Sequence, residues 1–128
     1  MAEGRVTGIG GLFLRADDPE GLARWYLDNL GISVCAAGQP AADGNWSWRQ
    51  DAGDTVLSMF PRSSDYFAAD RQAMLNLRVE GLDGLLGRLG GAGIAISHRE
   101  DMEGVGRFAR IHDPEGNPIE LWEPPAEG

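Results

Sequence analysis

The chain has 128 residues, 42% of them hydrophobic, which is one domain's worth of polypeptide with enough apolar content for a single core. Its formal net charge of −9 is opposite to the basic footprint that phosphate-backbone binding requires, so nucleic acid is not an expected partner. All 11 basic residues are arginine, which removes Schiff-base chemistry from a side-chain amine, and the single cysteine, Cys35, excludes an internal disulfide and the multi-cysteine zinc patterns.

In chain order, residues 6–16 read as a first strand, weakened by Gly8, Gly10 and Gly11. Asp17, Asp18, Pro19 and Glu20 then make a helix start, with a capping acid and a proline in the first turn. Leu22, Trp25, Tyr26 and Leu30 form one apolar stripe, and Gly31 stops the helix. Residues 32–36, 45–50 and 55–60 supply three short strands, the last two joined by a turn at 51–54. A polar linker follows at 62–73; it carries the adjacent aromatics Tyr66 and Phe67 and is longer than an ordinary crossover.

The second half repeats that order. Residues 74–79 read as a strand, and Leu82, Leu85, Leu86 and Leu89 as a helical stripe that Gly93 stops. Residues 94–97, 107–113 and 118–123 are the closing strands, with 100–106 as a flexible stretch and 114–117 as a turn. The repetition is also visible residue by residue: Leu14-Arg15-Ala16-Asp17 returns as Leu77-Arg78-Val79-Glu80 63 residues later, and Leu57-Ser58-Met59-Phe60 as Ile119-Glu120-Leu121-Trp122 62 residues later. Two copies of one βαβββ unit are too few for an open solenoid, so they must share a core, with a ligand cleft between them. No apolar run is long enough to span a bilayer, and a cytoplasmic protein without membrane attachment is expected.

Two tandem βαβββ units, with residues 25–31 (WYLDNLG) ending the first helix and 113–121 (DPEGNPIEL) near the end, resemble the vicinal oxygen chelate superfamily of glyoxalases, bleomycin resistance proteins and dioxygenases. The resemblance covers residues 5–124 and implies one α+β domain with a U-shaped cleft: module 1 at 6–61, the linker, and module 2 at 74–124. It also implies a homodimer. Activities in the superfamily range from lyases, isomerases and dioxygenases to metal-free binding, so the fold does not name the chemistry. The metal-ligand positions the resemblance implies fall on Gly11, Ser58, Met74 and Glu120, of which Glu120 alone is an ordinary oxygen ligand.

Strand alternation places Gly11, Phe13 and Arg15 on one face, and Met74, Asn76 and Arg78 on its counterpart. Arg15 and Arg78 either grip an anionic ligand or pair with acids of this chain or its mate. Trp48, Ser58, Trp122 and Asn76 are further candidate lining residues, and Tyr66 and Phe67 are candidates for a lid. Glu120 is the candidate base or ligand, with His112 as its understudy or a strand-end polar residue. The leading expectation is a metal-free, small-molecule-binding protein, for an anionic or aromatic metabolite, with no cofactor. The alternative is a metal-dependent lyase or dioxygenase built on Glu120, His112 and a partner's residues. A third reading is an interaction module whose cleft is filled by Trp46, Trp48 and Phe108.

Overall fold

The computed structural model describes residues 4–36 and 38–126. Helix α1 runs Pro19–Leu30. It is followed by strand β1, Leu75–Arg78, helix α2, Leu82–Gly91, and strands β2, His98–Met102, β3, Gly106–His112, and β4, Pro118–Glu123. The sheet order is β1-β4-β3-β2, with β1 parallel to β4 and the other pairs antiparallel.

Both helices lie on one face of this sheet. Leu22 and Tyr26 of α1, and Leu82, Leu86 and Leu89 of α2, join Ile32, Leu77, Ala109, Ile111, Ile119 and Leu121 in one core. The strand members of that core recur at every second position, so the residues between them, Asn76, Arg78, Phe108, Arg110, Glu120 and Trp122, occupy the face the helices leave free. Each fully buried aliphatic side chain contributes about 1.5–3 kcal/mol, which fixes strand register by making a one-residue slip costly.

Helix α1 starts and stops where the sequence places it. Asp18 accepts the Gly21 N–H at 3.1 Å, and Gly31 adopts the left-handed conformation, φ 69°, that ends a helix without a Cβ penalty. Its docking is fixed by the 113–117 turn. Tyr26 donates to the Asp113 carboxylate at 2.8 Å, and Glu115 accepts the Asp17 and Asp18 N–H groups at 2.6 and 3.0 Å. Helix α2 extends to Gly91 and is capped by Ala92, with Gly93 at φ 83° just beyond. Its first N–H groups, of Gly81 and Leu82, are taken by Glu123 from the end of β4.

Two sequence expectations are corrected. The second strand of the second half is His98–Met102 rather than 94–97, so residues 100–102 of the stretch read as a flexible loop are strand. Its residues are exposed throughout and it pairs on one side only, so it is an edge strand without the apolar alternation by which strands are recognised. Gly106, at φ 128°, closes its hairpin, and a Cβ there would run into the Glu123 carbonyl oxygen. In the first half, helix α1 forms, but residues 6–16, 45–50 and 55–60 pair in no ladder among the described residues; an isolated bridge joins Ala36 and Gln39. Val6, Phe13, Val56, Leu57 and Met59 are more than two-thirds exposed there, so these segments lack the burial that stabilises the four-stranded sheet of the second half, and Gly8, Gly10 and Gly11 add backbone entropy to be overcome.

Candidate functional site

The helix-free face of the sheet is centred on Glu120, in β4. Register sets Asn76 of β1 on one side of it and Arg110 of β3 on the other. The Asn76 amide donates to Glu120 Oε1 at 2.8 Å, and an Arg110 terminal nitrogen lies 3.6 Å from Oε2, with both members of that ion pair about nine-tenths buried. Cross-strand neighbours of opposite charge need no long-range docking to meet, and burial strengthens their attraction.

The linker supplies the third partner. The Tyr66 hydroxyl donates to Glu120 Oε2, while the Tyr66 carbonyl accepts from Arg110 Nη1 at 3.0 Å. The Arg110 guanidinium also sits 5.0 Å from the centre of the Tyr66 ring, a cation–π distance. Phe60 stacks on Tyr66 at 5.3 Å and 19°, and Phe67 meets Phe60 edge-on at 5.9 Å. Burial, then the bond to Glu120, pushes the Tyr66 phenol up to about 12, so it is a donor throughout the neutral range. Farther along the linker, Arg71 binds the Glu115 carbonyl at 2.9 Å and Asn117 Oδ1 at 3.3 Å. The linker thus crosses the sheet and is tied down at two points. Arg62, Asp65, Tyr66, Phe67 and Arg110 are among the residues around an open depression of about 510 Å³ beside Tyr66. The Arg110 Nε is buried and has no hydrogen-bond partner among the described residues.

The structure brings Glu120, Asn76 and Tyr66 into direct contact, with Phe67 adjoining them through Phe60. Trp122 is the next residue on the same face of β4; it stacks on Phe108 at 6.4 Å and donates its indole N–H to the Val105 carbonyl. Arg78 is engaged elsewhere. Its guanidinium donates to the Asp51 and Asp54 carbonyls at 2.8 and 3.1 Å, and a Cβ at Gly53 would approach it to 2.7 Å, so it braces the 51–54 turn. Arg15, Trp48 and Ser58 are exposed. His112, also exposed, borders a separate depression of about 240 Å³ with Trp25, Ile94, Ser97 and Asp113.

Arg110 is the member that sequence reasoning did not assign to the site. The signal was present. A turn at 114–117 sets His112 opposite Pro118, and two steps farther along the hairpin Arg110 falls opposite Glu120.

The residues present do not fit a divalent metal. Gly11 has no side chain to offer, Ser58 is exposed, and Glu120 already faces a guanidinium whose charge opposes a second cation. Among the described residues no three His, Cys, Asp or Glu side chains converge as a ligand set.

An α+β domain whose second half is a complete βαβββ unit, with a carboxylate on the open face of its sheet, has the architecture of the glyoxalase, bleomycin resistance protein and dioxygenase group. Residues 11–122 match the glyoxalase-like domain, and the chain belongs to that family, within the vicinal oxygen chelate superfamily. Among solved structures it resembles a lactoylglutathione lyase from Agrobacterium tumefaciens, at 20% identity and a TM-score of 0.59 over 92% of this chain and 94% of that one. It also resembles an antibiotic binding protein from Streptomyces sp. CB03234, at 20% identity and a TM-score of 0.61 over 96% and 100%. A glyoxylase/bleomycin resistance protein/dioxygenase domain from Frankia sp. EAN1pec matches at 20% identity and a TM-score of 0.61 over 94% and 100%. These likenesses define the fold. A comparison with curated protein sequences gave no match.

Proposed function

We propose that this protein binds a small aromatic molecule, without a metal, on the open face of its four-stranded sheet beneath the 62–73 linker. The observation that carries the reading is the buried Arg110–Glu120 pair, which closes the usual metal-ligand carboxylate with a cation of the protein's own and sets it beside the aromatic side chains of Phe60, Tyr66 and Phe67. Flat aromatic surfaces with a few convergent polar groups suit a planar ligand, and a depression of about 510 Å³ is of ligand size. Of the anionic and aromatic classes, the aromatic one is favoured, because Arg78 is bound to its own chain and Arg110 already has a counter-ion. That one of the fold neighbours is an antibiotic binding protein is consistent with this choice. A homodimer and a cytoplasmic location belong to the same proposal.

The test is calorimetric titration of protein treated with a chelator, using naphthalene, 2-naphthol and 2-naphthoate, alongside elemental analysis of protein purified without added metal. Saturable binding of at least one probe at one site per chain, unchanged by the chelator, is expected. Failure of every probe to bind, or recovery of binding on adding a divalent metal, would overturn the reading.

A further inference from the structure

The side chain that fills the centre of the site belongs to the linker, and its chemistry is informative. Tyr66 is a para-substituted phenol stacked on Phe60, placed against the Arg110 guanidinium, and hydrogen-bonded through its hydroxyl to the Glu120 carboxylate. Glu120 has no hydrogen to give when ionised, so beside Arg110 and Asn76 its remaining acceptor capacity is met by an O–H or N–H donor. A carboxylate ligand in that position would bring a second negative charge against the first.

Resting on the proposed function, we infer that Tyr66 is a built-in stand-in for the ligand, and that the ligand is a neutral aromatic bearing a hydroxyl donor, a phenol, which displaces Tyr66 and donates to Glu120. The linker's anchorage makes this displacement feasible. Arg71 ties its far end to the 115–117 turn independently of Tyr66, so the ring can leave while the strap stays attached. The depression of about 510 Å³ beside the ring is the space through which an incoming ligand reaches it. Displacement exchanges one phenol for another, so the ligand must gain from stacking area that a single ring lacks; a bicyclic phenol meets that requirement.

The experiment measures affinities of 2-naphthol, naphthalene and 2-naphthoate for wild type, Tyr66→Ala, Tyr66→Phe and Glu120→Gln. In wild type, 2-naphthol should bind at least about tenfold tighter than naphthalene, the effect of one hydrogen bond to a charged group, with 2-naphthoate weakest. Removing the internal competitor should tighten both 2-naphthol and naphthalene, severalfold in Tyr66→Phe and about tenfold or more in Tyr66→Ala, leaving their ratio intact. Glu120→Gln should shrink that ratio, because a neutral amide oxygen is the weaker acceptor. Tyr66→Phe keeps the ring and its packing, so it serves if Tyr66→Ala does not fold. Equal affinities for 2-naphthol and naphthalene in wild type and the Tyr66 variants would overturn the phenol inference while leaving aromatic binding standing. Tightest binding of 2-naphthoate would also overturn it, as would a 2-naphthol affinity indifferent to both Tyr66 changes. Absence of saturable binding in every protein would remove the underlying reading as well.

Discussion

Arg110 and Glu120 neutralise one another with little help from water, so neither can be removed alone without leaving a buried charge. Arg110→Ala should cost about 3–5 kcal/mol of unfolding free energy, the range for stranding one member of a buried pair. Combined with Glu120→Gln it should cost less than the two single changes added together, because the doubly changed protein no longer strands a charge. Denaturant unfolding of the four proteins checks this, and strict additivity would show that the pair is not coupled. Tyr66 gives a pH signature at the same place. Its folded pKa is raised from 10.0 to about 12, so its stabilising contribution is whole below the unfolded value and is lost as pH rises from 10 through 12. Difference absorbance of the phenolate between wild type and Tyr66→Phe should show this late titration. A phenol titrating near 10 would mean that the bond to Glu120 is not kept in solution.

At the scale of elements, the 113–117 turn holds helix α1 to the sheet. Asp113 is buried and accepts from Tyr26, the Glu115 and Asn117 N–H groups and the Asn117 amide at 2.8 to 3.0 Å. Burial, then the bond to this carboxylate, raises the Tyr26 phenol above its ordinary range, which keeps it protonated as the donor. Tyr26→Phe should therefore cost about 1.5–3 kcal/mol, and Asp113→Ala about 3 kcal/mol or more, since three further donors lose their acceptor. Thermal and denaturant unfolding would measure both. A loss in Asp113→Ala no larger than in Tyr26→Phe would show that the turn's own hydrogen bonds are dispensable. Helix α2 is held differently, by Glu123 at its first N–H groups and by Arg107, which spans Asp83, Asp101 and Glu123 on the surface. The exposed members of that cluster are screened by salt and add little.

At the scale of the whole molecule, the second half is a closed two-layer unit and the first half is not. Val6, Phe13, Val56, Leu57 and Met59 leave apolar surface in the first half that a second copy could cover. Sedimentation equilibrium should give twice the chain mass at micromolar concentration. Phe13→Glu with Met59→Glu should shift it toward the chain mass while the helices and the four-stranded sheet persist by circular dichroism. A monomer at every concentration would defeat the dimer. Equally, variants that remain dimeric would move the interface away from these segments.

How much was legible in the sequence follows from where local signals suffice. Asp18, Pro19 and Gly31 delimit α1 by backbone chemistry alone, and the alternation of Ile119, Glu120, Leu121 and Trp122 assigns opposite faces with no knowledge of the partner strand. The family resemblance, supported by the half-chain repeat, implies a cleft position for Glu120, and Tyr66 and Phe67 of the linker are candidates for a lid. Strand β2 escaped because an exposed edge strand needs no apolar pattern, and the unpaired segments of the first half carry strand-like sequence without the tertiary burial that would stabilise a ladder. The roles of the arginines also required the fold. Arg15 and Arg78 occupy equivalent places in the repeat, yet Arg78 braces a turn and Arg110 guards Glu120, because a guanidinium goes to whichever acceptors its neighbours bring within reach. Sequence alone determined the limits of α1 and the faces of the closing strands, set by short-range periodicity and caps, and it pointed to the fold family through the half-chain repeat and the motifs at 25–31 and 113–121. Tertiary structure decided that Glu120 meets the Tyr66 phenol, because that contact joins residues 54 positions apart, under a linker whose course no local signal fixes.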